Sequence, residues 1–393
     1  MSKMKVAIVT EAFQASTIAL GGTFAEYSTV DVYIITGRKS DFGNMEAFEY
    51  QGHVWPWIKT VSSSEVKGTG FVKSPEKLRF CLASIPKRRD GVVRYVTNVY
   101  LKYLVYRLTS YDYVCVIGPS QFMADLSIRL NKCKIPHTHT LHEITDKDGT
   151  LLRIIPDLMN NKCHVIVHSE HIRKKLVNII SESSDRIHSI PFGMFLGYKD
   201  YNTENSNILL QVGGVDYILM YGFITSYKGF DVLWNAYQIL KHENSLGNLK
   251  FVVAGKGRND YVKRMKDCPD FIVINRWINN EELVTLLSHS IGVICPYKSA
   301  SQSGIPQTSF LFNKPLIATN VGAFSETIMN GHNGRLVDKD RIDEIVAAIR
   351  DVVKNQKVYE KQIKSSPLPQ RYNWDLIVQS YIKMIENLTH DSK

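Results

Sequence analysis

Two loops in the second half of the chain carry residues suited to binding an anion. Residues 221–229 place Lys228 between an apolar run and a helical pattern. Residues 296–308 are rich in small polar side chains and include Ser303 and Gly304 ahead of another helical pattern. A lysine neutralises phosphate charge, and the first backbone N–H groups of a helix attract anions. The loops therefore predict a diphosphate site, although a surface lysine and a plain strand-to-helix loop would leave the same pattern.

A histidine in the first half is a further candidate. His142 comes directly after a predicted strand, His137 to Leu141, and is followed by Glu143. At the end of a strand it can face a ligand, or it can simply be satisfied by a backbone group. The other eleven histidines are scattered and receive no role.

Motifs of several other enzyme classes are missing. Gly21 and Gly22 follow the first apolar run, but no full GxGxxG or GxxxxGK[ST] pattern is present, which disfavours a dinucleotide dehydrogenase or a P-loop enzyme. The six cysteines form no CxxC pair, no His and Cys cluster has zinc spacing, and no DxD pair lies on a loop. The sequence therefore predicts reduced thiols and no metal site.

The elements that must position these residues alternate between strand-length apolar runs and helical patterns. This alternation is typical of doubly wound α/β domains. The predicted strands of the first half are Lys5 to Glu11, Asp31 to Thr36, Tyr113 to Gly118, His137 to Leu141 and His164 to His168. Those of the second half are Tyr217 to Gly222, Lys250 to Ala254, Phe271 to Ile274, Ile291 to Cys295 and Pro315 to Thr319.

Two such series predict two Rossmann-like domains joined near Pro191 to Asn207. The predicted boundaries are residues 1–195 for the first domain and 196–372 for the second. The last helical pattern, Asn373 to Leu388, predicts a helix within residues 373–390 that crosses back to the first domain. The fold class is thus α/β, with two doubly wound domains.

Size and composition suit a soluble globular enzyme. A chain of 393 residues exceeds what one hydrophobic core usually supports, and 44% hydrophobic with 22% charged residues excludes disordered and fibrous classes. No secretory h-region is present at the start, and the most apolar helical candidate, Val92 to Leu108, contains too many polar residues to cross a bilayer. These features predict a cytoplasmic protein.

Most of the formal charge of +10 lies in one segment, residues 59–110, which has eleven basic and three acidic residues. Its aromatic residues include Tyr95, Tyr103 and Tyr106. Basic and aromatic residues together can face anionic lipid, a lipid-linked phosphate or nucleic acid. The alternative is a solvated face whose aromatic rings point to the core.

The second half resembles the donor-binding domain of retaining GT-B glycosyltransferases, specifically glycosyltransferase family 4. The matching motifs, in order, are Ile190-Pro191-Phe192-Gly193, Tyr221 to Asp231 around Lys228, Val252 to Gly257, Asn275 to Ile278 before Glu281-Glu282-Leu283, Pro296-Tyr297, Lys314 to Gly322, Glu326 and Asn333-Gly334. They span about residues 164–350. The first domain matches more loosely, through Gly21-Gly22, Leu141-His142-Glu143 and Val165 to Ser169.

The resemblance implies a GT-B fold, in which two Rossmann-like domains face a cleft, and a role for each matching residue. Lys228 would bind the donor diphosphate together with backbone N–H groups around Ser303 and Gly304, and His142 would project toward the donor sugar. Arg276, Trp277 and Ile278 would flank the nucleobase. Gly21 and Gly22 would let a loop approach the sugar and phosphate, and Glu326 would contact the donor unless it only caps a helix.

The chain departs from the family at three positions. The Glu-x7-Glu pair of the family corresponds to Ala300 and Thr308, and the arginine five residues before the lysine corresponds to Phe223. The segment resembles better a subset of the family that has Gln-Ser-Gly in place of the first glutamate, here Gln302-Ser303-Gly304. The resemblance therefore implies a variant donor site, in which the ribose is held differently.

The implied activity is metal-independent transfer of a sugar from a nucleotide diphosphate sugar to a hydroxyl of a glycan or lipid-linked acceptor, in bacterial-type surface polysaccharide synthesis. No cofactor is implied. The basic segment would dock on an anionic membrane, at the inner face of the plasma membrane. Three alternatives remain: a catalytically degenerate nucleotide or glycan binder, a sugar-nucleotide epimerase, and a nucleic-acid binder, for which no recognised module is found.

Overall fold

The computed structural model describes residues 4–11, 14–36, 48–51, 58–84, 91–142, 150–180, 184–365 and 372–390. The chain divides into two compact units. Unit 1 comprises residues 1–200 and 371–393, and unit 2 comprises residues 201–370. The boundary thus lies at Asp200 and Tyr201, a few residues after the position predicted from the sequence.

The described strands and helices follow the alternation expected from the sequence. The strands are β1 (Lys5–Thr10), β2 (Thr29–Thr36), β3 (Lys59–Ser62), β4 (Leu78–Ser84), β5 (Tyr113–Ile117), β6 (His137–Leu141), β7 (Val165–Val167), β8 (Ile187–Ser189), β9 (Tyr217–Tyr221), β10 (Lys250–Ala254), β11 (Phe271–Ile274), β12 (Gly292–Cys295), β13 (Leu316–Thr319) and β14 (Gly334–Val337).

The helices are α1 (Gln14–Tyr27), α2 (Gly91–Leu108), α3 (Gln121–Lys132), α4 (Thr150–Asn160), α5 (Glu170–Ile180), α6 (Ser206–Val212), α7 (Phe230–His242), α8 (Asp260–Lys266), α9 (Asn280–His289), α10 (Ile305–Leu311), α11 (Ile342–Ser365) and α12 (Trp374–His390). Among these described helices, none has a stretch both long enough and apolar enough to span a bilayer.

Unit 1 is built on a sheet with the order β3-β4-β2-β1-β5-β6-β7-β8. All neighbours are parallel except β3 and β4. The central strand β1 pairs with β2 on one side and with β5 on the other, so that Ile8 lies opposite both Val32 and Cys115. Because helices cover a parallel sheet on both faces, its central strands are buried on both sides. The segment Val6 to Val9 is accordingly buried.

Unit 2 has an all-parallel sheet with the order β11-β10-β9-β12-β13-β14. One face packs against α7 and α11 through a cluster that includes Phe230, Leu233 and Val352. Phe230 and Leu233 stand three residues apart in α7 and therefore lie on the face of the helix that is buried against the sheet. At the start of α9, Asn279 and Glu282 form a capping box, in which each side chain accepts the other residue's backbone N–H.

The sequence did not predict four of the strands, β3, β4, β8 and β14. Two of them, β3 and β4, lie inside the basic segment, where Leu78, Phe80 and Leu82 are buried. The alternative reading of that segment is thus right for Phe80. It does not apply to the exposed rings of α2, which are described below.

The last helix of the chain, α12, belongs to unit 1. It packs against α1, with the rings of Phe24 and Tyr381 5.8 Å apart in an edge-on arrangement. At its first residue, the indole N–H of Trp374 donates to the carbonyl of Met194 at 2.7 Å. These contacts hold the helix on unit 1.

A buried carboxylate joins β2 to β4 in unit 1. Asp31 accepts two hydrogen bonds of 2.8 Å from the guanidinium of Arg79 and one of 2.5 Å from the hydroxyl of Tyr111. Burial first, and then hydrogen bonds with Asp31 and Tyr33, raise the pKa of Tyr111 well above its ordinary value. Part of the charge of the basic segment therefore neutralises an internal carboxylate.

We expect Arg79→Ala to lower the free energy of unfolding by about 3 kcal/mol, because it leaves Asp31 buried beside a hydroxyl alone. The value lies at the low end for a broken buried pair because half of the Arg79 side chain is exposed. Urea unfolding measures the change. The control is Lys73→Ala, which removes a more exposed pair with Glu26. Equal unfolding midpoints for the two variants would contradict the role of Arg79.

Candidate functional site

The two loops predicted to bind an anion follow the strands on either side of the reversal point of the unit 2 sheet. The chain builds outward from β9 through β10 and β11, and then returns to the other side of β9 with β12. One loop leaves β9 and the other leaves β12. Open parallel sheets bind ligands at this point, because adjacent loops lead to opposite faces and leave a crevice.

Lys228 lies in the first of these loops, at the end of a short 3-10 turn. Its side chain is buried, with 6% of the residue exposed. The ammonium donates a hydrogen bond of 3.2 Å to the carbonyl of Tyr221 and lies 5.6 Å from the centre of the Tyr297 ring. A carbonyl oxygen and the face of an aromatic ring both stabilise a cation. The lysine charge is therefore held at the carboxyl ends of β9 and β12.

Two glycines bring the loops close together. A Cβ on Gly222 would lie 2.6 Å from the Lys228 ammonium, and one on Gly229 would lie 1.8 Å from the carbonyl oxygen of Pro296. Gly229 also has a φ of +76°, which favours glycine. Next to it, the backbone N–H of Lys298 donates to the carbonyl of Tyr227 at 2.7 Å. The two loops thus form one packed surface.

Some buried polar atoms of these loops have no hydrogen-bond partner within the described residues. They are Thr225 Oγ1, the Tyr297 hydroxyl, Gln302 Oε1 and Gln307 Oε1. Because buried polar groups in folded proteins are nearly always hydrogen-bonded, this grouping fits a site that a polar ligand or water completes. The sequence analysis named Gln302 but missed Gln307, whose type in a helix gives no signal of its burial.

The start of α10 uses some of its own polar groups. Ser303 Oγ accepts the backbone N–H of Ile305 at 3.3 Å, and the Gly304 carbonyl accepts from both the backbone N–H and the hydroxyl of Thr308. The family that the sequence resembles has carboxylates at positions 300 and 308. Here Ala300 has only a methyl group, and the hydroxyl of Thr308 is hydrogen-bonded to the start of its own helix. Neither residue presents an anion to a ligand.

The side chain of Arg276, which the resemblance places beside the nucleobase, makes its hydrogen bonds within unit 2. Its guanidinium makes two hydrogen bonds, of 2.7 and 2.8 Å, to the carboxylate of Glu282 and one of 3.0 Å to the carbonyl of Trp277. Burial works to raise the pKa of Glu282, but the hydrogen bonds from Arg276 and Asn279 outweigh it and lower the pKa. Arg276 therefore fixes the loop before α9, and this pairing occupies its guanidinium.

The two residues that follow Arg276 differ in exposure. Trp277 is 51% exposed and lies 5.9 Å from the ring of Phe223, which is 59% exposed. Ile278 packs against the core of unit 2. An exposed aromatic pair can stack on a planar or sugar ring. Phe223, which replaces the arginine of the family, thus adds a ring to this edge where the family has a charge.

Glu326 is the last residue of a 3-10 turn, Phe324–Glu326, and is half-buried. Its backbone N–H donates to the carbonyl of Ala323. It is the third residue of this short turn, the position from which a glutamate reaches back in a capping box, so the position of Glu326 agrees with the capping alternative considered in the sequence analysis.

In unit 1, His142 is buried at the end of β6, with 6% of the residue exposed. Its Nε2 lies 3.3 Å from Nε2 of His168, at the end of β7, and its ring packs 5.6 Å from that of Phe192. The sequence analysis assigned nothing to His168. The only sequence feature that pointed to His168 was its position at the end of the strand Ile166-Val167-His168. Glu143 lies outside the described residues.

Gly21 and Gly22 do not lie in a loop, as the resemblance implied. Both are inside α1, where a Cβ on Gly21 would meet Val32 at 2.8 Å and one on Gly22 would meet Phe71 at 2.8 Å. Their lack of a side chain lets α1 pack closely on the sheet and on the turn after β3. The prediction of a glycine loop at these positions is wrong for this reason.

Comparison with known proteins finds similarity to glycosyltransferases. Residues 202–367, nearly all of unit 2, match the family described as glycosyl transferases group 1. An uncharacterised glycosyltransferase of Methanocaldococcus jannaschii is 22% identical over 275 residues, which cover 66% of this chain and 70% of that protein.

Solved structures share the fold at low identity. Sucrose-phosphate synthase from Thermosynechococcus elongatus has a TM-score of 0.65 and 14% identity, covering 99% of this chain and 100% of its own. The Anabaena protein HepE, in complex with UDP and glucose, has a TM-score of 0.66 and 14% identity, covering 98% and 100%. The predicted fold class, α/β of the GT-B type with two Rossmann-like domains, is confirmed.

Buried histidines of unit 1 are held neutral. Burial lowers the pKa of His137 to about 4 and that of His139 to about 3, and it lowers the pKa of His142 well below its ordinary value. It lowers the pKa of His168 to about 4. In the unfolded chain these side chains take up a proton near pH 6.5.

We therefore expect the protein to lose stability as the pH falls from about 6.5 toward 4. In that window the unfolded state binds more protons, so each such histidine lowers the free energy of unfolding by about 1.4 kcal/mol per pH unit. Urea unfolding at pH 7, 6 and 5 measures the slope. His137→Gln, which cannot take up the proton, should give a shallower slope than the wild type, and an unchanged slope would contradict the assignment.

Proposed function

We propose that this chain is a retaining glycosyltransferase that moves a sugar from a nucleotide diphosphate to a hydroxyl group of a glycan or lipid-linked acceptor. One observation carries the proposal: the buried cation of Lys228 lies where the sheet of unit 2 reverses, within residues that match the glycosyl transferases group 1 family. The presence of UDP in complexes of HepE, a protein of the same fold, supports a nucleotide-sugar donor.

The donor diphosphate is the ligand that suits Lys228. An ammonium held by a carbonyl and an aromatic ring would gain an ion pair when a phosphate binds beside it. Backbone N–H groups near Ser303 and Gly304 are the second group of donors that we propose. Trp277, together with Phe223, is the surface that we propose for the nucleobase.

The proposed reaction needs no protein nucleophile. The bond between the anomeric carbon and the diphosphate oxygen breaks, and a new bond to the acceptor oxygen forms on the same face. The acceptor's proton passes to the leaving phosphate. Stabilising the charge of the leaving diphosphate is then the main task of the protein, and Lys228 is the residue placed for it. His142 is proposed to contact the donor sugar from unit 1.

The missing carboxylates favour a second candidate, a GT-B protein that binds nucleotide or glycan without turnover. Ala300 and Thr308 present no anion, so the ribose must be held by other groups. Gln302 and Gln307, whose buried amide oxygens have no hydrogen-bond partner within the described ranges, are the groups that we propose for this contact. An amide oxygen accepts a ribose hydroxyl as a carboxylate does, but more weakly.

The acceptor side of the proposal rests on α2. Its buried face comprises Leu101, Leu104 and Leu108. On its opposite face, 72% of Tyr95 and 74% of Tyr106 are exposed to solvent. Tyrosine favours the interface between lipid and water, and basic residues attract anionic headgroups. We propose that unit 1 binds the membrane peripherally through this helix, near lipid-linked acceptors of surface polysaccharide synthesis.

We expect nucleotide release from one member of a panel of UDP-, GDP-, dTDP- and ADP-sugars, equally with and without EDTA. Lys228→Ala should lower kcat/KM at least 100-fold, because the leaving diphosphate loses its cation. Lys298→Ala is the control, since that lysine is paired with Asp231.

If one nucleotide raises the melting temperature but no nucleotide is released from any donor with any acceptor, the non-catalytic binder is favoured over the transferase. Loss of activity in EDTA would contradict metal independence.

For the membrane, we expect Tyr95→Ser with Tyr106→Ser to weaken binding to phosphatidylglycerol vesicles, because two rings that favour the interface between lipid and water are lost. Lys87, Arg88 and Arg89 lie outside the described residues, but replacing all three by glutamine should weaken it further by about 1 kcal/mol per charge. The control is Leu210→Ser, which removes an equally exposed apolar side chain from unit 2. Sedimentation with vesicles measures binding. Equal binding by all variants would contradict the proposal that α2 forms the membrane-binding surface.

A further inference from the structure

The two buried histidines at the ends of β6 and β7 form a hydrogen-bonded chain that ends on a backbone carbonyl. His168 Nδ1 lies 2.7 Å from the carbonyl oxygen of Ile190. His168 Nε2 lies 3.3 Å from His142 Nε2, and the ring centres are 4.2 Å apart at an angle of 55°. Each histidine has only 6% of its surface exposed.

The hydrogen-bonding roles of these groups determine which ring nitrogen of each histidine carries a hydrogen. A carbonyl oxygen only accepts, so Nδ1 of His168 must carry a hydrogen. The ring is neutral, because burial lowers the pKa of His168 to about 4, so its Nε2 carries a lone pair. His142 Nε2 must then donate the hydrogen that this lone pair accepts. Because His142 is also neutral, its Nδ1 carries a lone pair and cannot donate.

The orientation of His168 is itself fixed by the sheet. The backbone N–H of Ile190 donates to the carbonyl of Val167 at 2.9 Å, which continues the pairing of β7 with β8. The ring of Phe192 packs edge-on against His168 at 4.9 Å. The carbonyl that accepts from His168 is therefore part of the rigid core of unit 1.

We propose that His168 is a positioning residue for His142, which it fixes in the Nε2–H tautomer so that the Nδ1 edge accepts hydrogen bonds only. An acceptor edge suits a hydroxyl of the donor sugar and does not suit a phosphate oxygen, which itself only accepts. This inference rests on the proposed function, in which His142 contacts the donor sugar. His168 thereby has a role that the sequence motifs do not assign, and His142 binds the sugar of the donor and not its diphosphate.

The test uses three variants of the full chain. His168→Leu removes both polar atoms, and His168→Gln places an amide near the position of Nε2, whose oxygen can still accept from His142. The matched control is His188→Leu, which disrupts the other histidine pair of unit 1, where His164 Nδ1 lies 3.0 Å from His188 Nε2. The readouts are ¹⁵N NMR of the imidazole nitrogens in the free protein, and kcat and KM for nucleotide release.

We expect the wild-type His142 signals, identified by their loss in His142→Gln, to show a protonated Nε2 and an unprotonated Nδ1. His168→Leu should lose this protonation pattern of the His142 ring. It should also lower kcat about 10- to 100-fold and change KM for the donor less than threefold, because removing a group that orients a functional histidine has an effect of this size. His168→Gln should restore most of both, and His188→Leu should change neither.

A protonated Nδ1 on wild-type His142 would overturn the inference, as would an unchanged tautomer or an unchanged kcat in His168→Leu. If His168→Leu does not fold, His168→Gln decides: retention of the His142 tautomer supports the inference, and its loss overturns it. The NMR readout needs no substrate. The predicted tautomer in a protein that turns over no donor would therefore count against the proposed function and not against the histidine pair.

Discussion

Burial of two largely parallel sheets on both faces is the constraint on which the rest of this structure depends. A strand covered by helices on both sides leaves its functional side chains only at its ends, so loops and strand-end residues must carry the chemistry. In unit 2 the loops after β9 and β12 meet where the strand order reverses, and Lys228 lies in one of them. In unit 1 the ends of β6 and β7 carry the histidine pair.

The same constraint explains which parts of the fold the sequence predicts well. The strands β10 and β11 begin and end at the predicted residues, because a continuous apolar run bounded by polar turns has few other interpretations. In β4, a charged Arg79 stands second in the strand. In β14, Arg335 stands second among four residues. Arg79 pairs with Asp31 of β2 and Arg335 with Asp351 of α11, and the sequence does not distinguish such an arginine from one that faces solvent.

The site is harder to predict because contacts between distant segments decide what each side chain does. Arg276 matches the motif, but its guanidinium pairs with Glu282 and fixes a loop. Gly21 and Gly22 match it too, but they serve the packing of α1 against Val32 and Phe71. Conversely, His168 has a role only because the carbonyl of Ile190 and the ring of His142 lie on either side of it. Residue types alone contain none of this information.

The burial of Lys228 is the strongest physical argument for an anionic ligand in unit 2. Taking an ammonium out of water costs several kcal/mol, and a hydrophobic side chain of similar length would pack at this position without that cost. A carbonyl and the Tyr297 ring offset part of the penalty. The diphosphate that we propose as ligand would offset it further, and more so as negative charge grows on the leaving oxygen. The buried cation is thus an argument for the anionic ligand that we propose for unit 2.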